Sequence, residues 1–237
     1  MNQKHNIVIK RYDPEKEKAY EVKFEVDAEK VKTVLDALIL LKQSVANDLA
    51  FRFACKMGIC GSCGAIVNGK PVLMCQTFCR DLTGPIIIEP LKNFRIVKDL
   101  VVDIEKVMNR LRDALPYTNF ATNKAYEQIP QNPDQYQKFI QASQCIKCML
   151  CHSACPLLTT NKKFMGPMPA ASGFRYNQDN RDKISKQRMN SMTSEDGIYG
   201  CNFVGECSNV CPKNVDPAKC LQKLKVAGVL HSVKGKK

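Results

Sequence analysis

The chain has 237 residues, 44% of them hydrophobic and 25% charged, with a formal charge of +13. That balance suits a globular protein with a real core and excludes a collagen-like or wholly disordered chain. The longest apolar stretch, Val34 to Leu41, contains Asp36 and stops at Lys42, far short of the roughly 20 residues that a spanning helix needs.

The N-terminal part reads as a mixed α/β unit. Ile7 to Tyr12 and Tyr20 to Val26 alternate as strands, and Asp13-Pro14 starts the turn between them. Val31 to Lys42 places Val31, Val34, Leu35, Leu38 and Leu41 at helical spacing. Ala65 to Val67 and Val72 to Met74 flank Asn68-Gly69, a strong hairpin signal. Ile86 to Pro90 closes as a last strand, so a compact β-grasp arrangement is expected.

From about Val101 the pattern changes. Val102 to Leu115 reads as a helix ending before Pro116, and Pro130 and Pro133 mark a linker. Beyond Asp134 only short helix-like segments between cysteine groups are expected. The fold class is therefore α+β, with domains at 1–105 and 106–237, the second all-helical. Residues 140–237 hold 15 Lys and Arg against 6 Asp and Glu. No nucleic-acid-binding motif accompanies this charge, so no nucleic-acid partner is expected.

Thirteen cysteines against three histidines point to thiolate-bound metal. No apolar leader segment follows Met1, and a reducing, cytosolic setting is expected rather than a disulfide framework. Soft thiolates select zinc or iron–sulfur clusters. The first group is Cys55-x4-Cys60-x2-Cys63, with Cys75 eleven residues beyond. This is the plant-type [2Fe–2S] spacing, and the interleaved Gly58, Gly61 and Gly64 let the loop wrap so that N–H groups approach the sulfides. Zinc ribbons use paired C-x2-C instead. Cys79 competes with Cys75 as fourth ligand on spacing alone, although a buried free thiol is the simpler reading of Cys79.

The second group, Cys145-x2-Cys148-x2-Cys151-x3-Cys155-Pro156, matches the bacterial two-cluster run, in which the fourth cysteine ligates the other cluster. A partner run lies at Cys201-x5-Cys207-x3-Cys211-Pro212, with Val204 where its second cysteine should be. Exchanging the last cysteines gives Cys145, Cys148, Cys151 and Cys211 to a [4Fe–4S] site. Cys155, Cys201 and Cys207 form the other, where an aliphatic side chain at the fourth corner predicts [3Fe–4S]. A [4Fe–4S] cluster with a non-cysteine ligand is the alternative. Cys220 fits no motif. His152 reads as an ordinary packed or surface histidine, with a hydrogen bond to a ligand as its other possible role.

One plant-type motif followed by this crossed pair resembles the iron–sulfur subunit of succinate dehydrogenase and fumarate reductase over nearly the whole chain. Phe51 to Gly64 and Gly205 to Pro217 look like that family's signatures. The resemblance implies an electron-transfer subunit between a flavoprotein, carrying FAD and the dicarboxylate site, and a quinone at a membrane anchor. Electrons would pass in the order [2Fe–2S], [4Fe–4S], [3Fe–4S]. It also implies a quinone side at Pro156, Gln222 and Lys225, and a peripheral position on the cytoplasmic face of the inner or plasma membrane. The chain departs from many succinate dehydrogenases in having Leu157 to Thr160 after Pro156 with no tryptophan anywhere, and Asn202 where relatives carry histidine. Both departures tilt the expectation toward a menaquinone-linked fumarate reductase. Lys213, Lys219, Lys223, Lys225, Lys234, Lys236 and Lys237 offer a basic face to anionic headgroups or an anchor, or simply a solvated surface. Two other readings are a related subunit exchanging electrons with thiols or a soluble carrier, and a free-standing ferredoxin-like carrier.

Overall fold

Alternation of apolar and polar residues sets the sheet. In the computed structural model, which describes residues 4–120, 129–194 and 196–234, Ile7 and Ile9 of β1 (Lys4–Asp13) point into the core. β1 pairs antiparallel with β2 (Lys18–Asp27) through the expected turn. Helix α1 (Val34–Ser44) lays Val34, Leu35, Ala37, Leu38 and Leu41 on the core. It begins at Val34 rather than at the expected Val31, because Thr33 and Asp36 form a capping box. Strands β3 (Gly64–Val67) and β4 (Lys70–Leu73) make the expected hairpin, and β5 (Ile86–Glu89) runs parallel to β1. The sheet order β2-β1-β5-β3-β4 with one packed helix is a β-grasp arrangement.

Two further strands correct the sequence reading. β6 (Arg95–Lys98) and β7 (Val101–Asp103) form a small antiparallel pair, so the helix expected from Val102 starts instead at Glu105. Asp99 makes this turn at φ 48°, and the β-branched Val101-Val102 step favours the extended backbone. The buried Asp99 carboxylate holds Arg11 at 3.0 and 3.1 Å and the Ala50 N–H at 2.8 Å, and Asp48 takes the other edge of Arg11 at 2.6 Å. These bonds fix the chain as it enters the first cysteine loop.

The remaining helices are α2 (Glu105–Asp113), α3 (Pro133–Gln137), α4 (Ile140–Ser143), α5 (Leu150–Ser153), α6 (Leu157–Thr160), α7 (Pro167–Asn177), α8 (Ser185–Met192), α9 (Glu206–Asn209) and α10 (Pro217–Lys234). Pro133, expected in a linker, occupies the first turn of α3, and Asn132 with Gln135 forms its capping box. The chain divides into two compact units, 1–103 with 146–154, and 104–145 with 155–237. α5 therefore belongs to the first unit. There the Lys92 N–H donates to Ser153 Oγ at 2.9 Å, Asn93 Nδ2 donates to the His152 carbonyl at 3.0 Å, and Phe94 stacks at a tilt on His152.

The second unit packs Phe164, Phe174, Met189, Met192, Leu221 and Leu224 into one core. Its buried Arg188 is held by Asp182 at 2.7 Å and by the carbonyls of Leu115 and Tyr117 at 3.0 and 2.8 Å. Among the described residues no helix is long and apolar enough to cross a membrane.

Candidate iron–sulfur sites

The loop from Cys55 to Cys63 bends at Lys56 (φ 58°), Gly58 (φ 71°) and Gly61 (φ 72°). These turns aim backbone donors at sulfur. Cys55 Sγ accepts from the N–H groups of Met57, Ile59 and Cys60 at 3.3 to 3.4 Å, and Cys60 Sγ accepts from the Cys55 N–H at 3.5 Å. The Cys55 N–H, with the Ser62 hydroxyl and N–H, pulls the Cys60 thiol down to about 6. Such donors fit sulfurs that carry the negative charge of a bound cluster.

Cys63 and Cys75 are drawn together by the β3–β4 hairpin, whose end is closed by the Met74 N–H donating to the Cys63 carbonyl at 3.0 Å. Both are buried, and burial, ahead of any contact with Cys75, pushes the Cys63 thiol up to about 12. Cys79 lies elsewhere. Its N–H donates to the Lys32 carbonyl, and burial followed by the charge of Asp36 raises its thiol to about 11. Gly61 and Gly64 show why glycine alternates with the cysteines. A Cβ on Gly61 would stand 2.8 Å from the Ile146 carbonyl oxygen and 3.0 Å from Cys148 Cβ; one on Gly64 would stand 3.1 Å from the Cys148 carbonyl oxygen.

The two later runs share a backbone path. Lys147 and Phe203 both take positive φ, 56° and 58°. Met149 and Gly205 follow at 68° and 89°, and each caps a four-residue helix, α5 and α9. Cys155-Pro156 and Cys211-Pro212 then stand at matching places. With the runs superposed in this way, Val204 occupies the position of Cys148.

Within the second unit, Cys155, Cys201, Cys207 and Val204 line one small cavity that opens to solvent, together with Pro156, Leu157 and Glu206. The Phe203 N–H donates to Cys201 Sγ at 3.3 Å. Burial raises the thiols of Cys155 and Cys207, the latter to about 11. Three sulfur donors around one space fit a thiolate-bound cluster. Asp216 steadies this wall, since its carboxylate accepts from Ser208 Oγ and from the Lys219 N–H at the start of α10.

Of the remaining expected residues, Cys148 and Cys151 fall in the first unit, and Cys145 and Cys211 in the second, where they border the core. Lys225 Nζ donates to the Cys201 carbonyl, and Gln222 Nε2 is buried with no hydrogen-bond partner among the described residues. Cys220 is buried and its thiol rises to about 12. His152 is buried against Phe94. Lys236 and Lys237 lie outside the described residues. Among the described residues no three His, Cys, Asp or Glu side chains gather tightly enough for a single ion.

Two features escaped the sequence reading. Phe53, Met57 and Ile59 stand exposed around the first cysteine loop, at 42%, 67% and 56% of full exposure. Along α10, Val226, Val229, Leu230 and Val233 are exposed at i, i+3, i+4 and i+7, a spacing visible in the sequence once the helix is known to be long.

A family model described as a 2Fe-2S iron-sulfur cluster binding domain matches residues 6–109, and one described as a 4Fe-4S dicluster domain matches residues 141–215. The chain is 41% identical to the fumarate reductase iron-sulfur subunit of Mycobacterium tuberculosis, across 95% of this chain and 93% of that one. The chain belongs to the iron–sulfur subunits of fumarate reductase and succinate dehydrogenase. Identity to the fumarate reductase subunit of Escherichia coli O6:H1 is 44%, covering 93% and 91% of the two chains. The succinate dehydrogenase iron-sulfur subunit of Coxiella burnetii is 34% identical, covering 92% and 94%. The Mycobacterium smegmatis Sdh1 complex in the apo form contains a chain of the same fold, with a TM-score of 0.83 over 96% of both chains at 24% identity. It is therefore an electron-transfer subunit of an oxidoreductase, with a [2Fe–2S] and a [4Fe–4S] binding domain.

Proposed function

We propose that this subunit relays electrons between a flavoprotein, bearing FAD and the dicarboxylate site, and a quinone, preferentially menaquinone, at a membrane anchor. Cys55, Cys60, Cys63 and Cys75 hold [2Fe–2S]; Cys145, Cys148, Cys151 and Cys211 hold [4Fe–4S]; Cys155, Cys201 and Cys207 hold [3Fe–4S], with Val204 at its vacant corner. When bound, the clusters supply one-electron carriers in series. The functional division follows 1–105 and 106–237, and the subunit sits peripherally on the cytoplasmic face.

The observation that supports this reading is the repeated backbone path of the two runs, in which Val204 takes the place that Cys148 has in the other run, together with the three sulfurs around one cavity. The closeness of Cys63 and Cys75 supports Cys75 over Cys79 as fourth ligand. Exposed Phe53, Met57 and Ile59 give the first loop a surface for the flavoprotein. At the other end, Pro156 in the cavity wall, the unsatisfied Gln222 amide and Lys225 supply polar and apolar groups for a quinone. The apolar stripe of α10 suits an anchor subunit.

The test is composition and EPR of the anaerobically purified protein. About nine iron and eight sulfide per chain are expected, the sum over the three cluster types, with an oxidised [3Fe–4S] signal. Val204→Cys supplies the fourth thiolate and abolishes that oxidised signal by converting the site to [4Fe–4S]. Abundant zinc with little acid-labile sulfide, or an oxidised signal surviving in Val204→Cys, would refute the assignment. Elution of the native protein alone, without a flavin-containing chain, would favour the free carrier.

A further inference from the structure

The side chain of Gln76 lies over the first cysteine loop. Its Nε2 donates to the Cys75 carbonyl at 3.1 Å and reaches Cys75 Sγ at 3.9 Å, within hydrogen-bond range for sulfur. On its other side is Gly58, at φ +71°, where a Cβ would stand 3.0 Å from both Cγ and Cδ of Gln76 and 3.4 Å from Nε2. The loop thus passes beneath the amide at a point where only glycine fits. That contact holds the amide against Cys75 although Gln76 itself is exposed.

We propose that Gln76 is a positioning residue that sets the potential of the [2Fe–2S] site by donating an N–H to the Cys75 thiolate. The proposal rests on reading Cys55, Cys60, Cys63 and Cys75 as the ligand set. Reduction adds one electron, one ferric iron becomes ferrous, and negative charge on the ligand sulfurs grows. A donor aimed at one of those sulfurs stabilises the reduced state more than the oxidised one and so raises the potential.

A side chain that merely covered the loop would act with the opposite sign. Removing such a cover admits water, which stabilises the added charge and raises the potential. Removing a donor lowers it. The sign of the shift therefore separates the two roles.

The experiment is an anaerobic redox titration with dithionite as electron donor, following the reduced [2Fe–2S] EPR signal in the holo-protein. Gln76→Leu keeps the bulk and removes the donor; Gln76→Glu keeps the shape and presents a carboxylate to the sulfur. At the wild-type midpoint, the reduced-to-oxidised ratio should fall roughly fivefold in Gln76→Leu, the worth of one modest hydrogen bond. It should fall further in Gln76→Glu, while the other signals keep their midpoints. An unchanged or raised potential in Gln76→Leu, with the signal intact, overturns the proposal whatever the added charge does in Gln76→Glu. Absence of any reduced [2Fe–2S] signal in the wild type would instead overturn the ligand assignment beneath it.

Discussion

Gly61→Ala should be among the most damaging single-methyl additions in the first unit. Two costs act together. At φ +72° an alanine pays the left-handed penalty of about 1–2 kcal/mol. Its Cβ also stands 2.8 Å from the Ile146 carbonyl oxygen, where ordinary contact begins near 3.4 Å, so backbone must retreat by some 0.6 Å. The neighbouring contacts, Cys148 Cβ at 3.0 Å and Cys148 Cα at 3.1 Å, lie on the same segment, so no side-chain rotation relieves them. Overpacking of this kind costs about 1–3 kcal/mol, and the sum is roughly 2–5 kcal/mol, a large share of a typical domain's 5–15 kcal/mol.

Gly69→Ala is the natural control. Gly69 has φ +82° but nothing within 4 Å of its would-be Cβ, so it carries the conformational penalty alone. Urea unfolding of the anaerobic holo-protein, followed by visible absorbance of the bound clusters, should place Gly61→Ala below Gly69→Ala by the overpacking share. Equal midpoints for the two variants would show that the contact with the Ile146 carbonyl oxygen and Cys148 is not tight in solution, and the reasoning would fail.

Arg188→Met should destabilise the second unit by about 3–5 kcal/mol, because it strands the buried Asp182 carboxylate; adding Asp182→Leu should recover much of that loss in thermal unfolding. Cys79→Ser should keep the [2Fe–2S] EPR signal, whereas Cys75→Ser should alter or remove it. The hydrogen bond from Arg181, ahead of burial and the neighbouring charges, holds the Asp179 carboxyl below its ordinary range. Its stabilisation is therefore present above the unfolded carboxylate value and lost as pH falls through the lower folded value. Asp179→Asn should flatten the acid limb of the stability–pH curve, and an unchanged limb would refute this.

What could be read from the sequence was whatever is local. The alternation of Ile7 and Ile9, the Asn68-Gly69 turn and the cysteine spacings each operate within a few residues, and the strands and hairpin follow from them. The capping box Asn132-Pro133-x-Gln135 was equally local, yet two prolines in four residues read as a linker. The β6–β7 pair was hidden for another reason. Each strand is three or four residues long, and the ladder is irregular between Ile96 and Lys98, too brief for periodicity to register. In the candidate sites, spacing pointed to the cysteines, but it did not by itself exclude Cys79 as a rival to Cys75. The hairpin brings Cys75 beside Cys63, while the Cys79 N–H donates to the Lys32 carbonyl, a difference that no spacing carries.

The membership of residues 146–154 in the first unit is the clearest case of information that no local pattern carries. Nothing in Cys145-x2-Cys148-x2-Cys151 announces a companion some eighty residues upstream. The link is made by missing atoms and single polar groups: the absent Cβ of Gly61 and Gly64, the Ser153 hydroxyl on the Lys92 N–H, and the Asn93 amide on the His152 carbonyl. A sequence boundary at 105/106 marks where strands give way to helices, a change in composition. Contacts mark something different, because the segment bearing Cys148 and Cys151 packs on the unit bearing Cys55 to Cys75. The glycines of the first cysteine loop consequently divide two duties, and Gly61 carries both. Positive φ at Gly58 and Gly61 lets the loop turn N–H groups toward sulfur, and the bare Cα of Gly61 and Gly64 lets the next cysteine run approach to backbone contact. A Cβ at either Gly61 or Gly64 would meet the Ile146–Cys148 backbone at 2.8 to 3.1 Å, so the close approach of the two cysteine-bearing stretches of this unit depends on both positions staying bare.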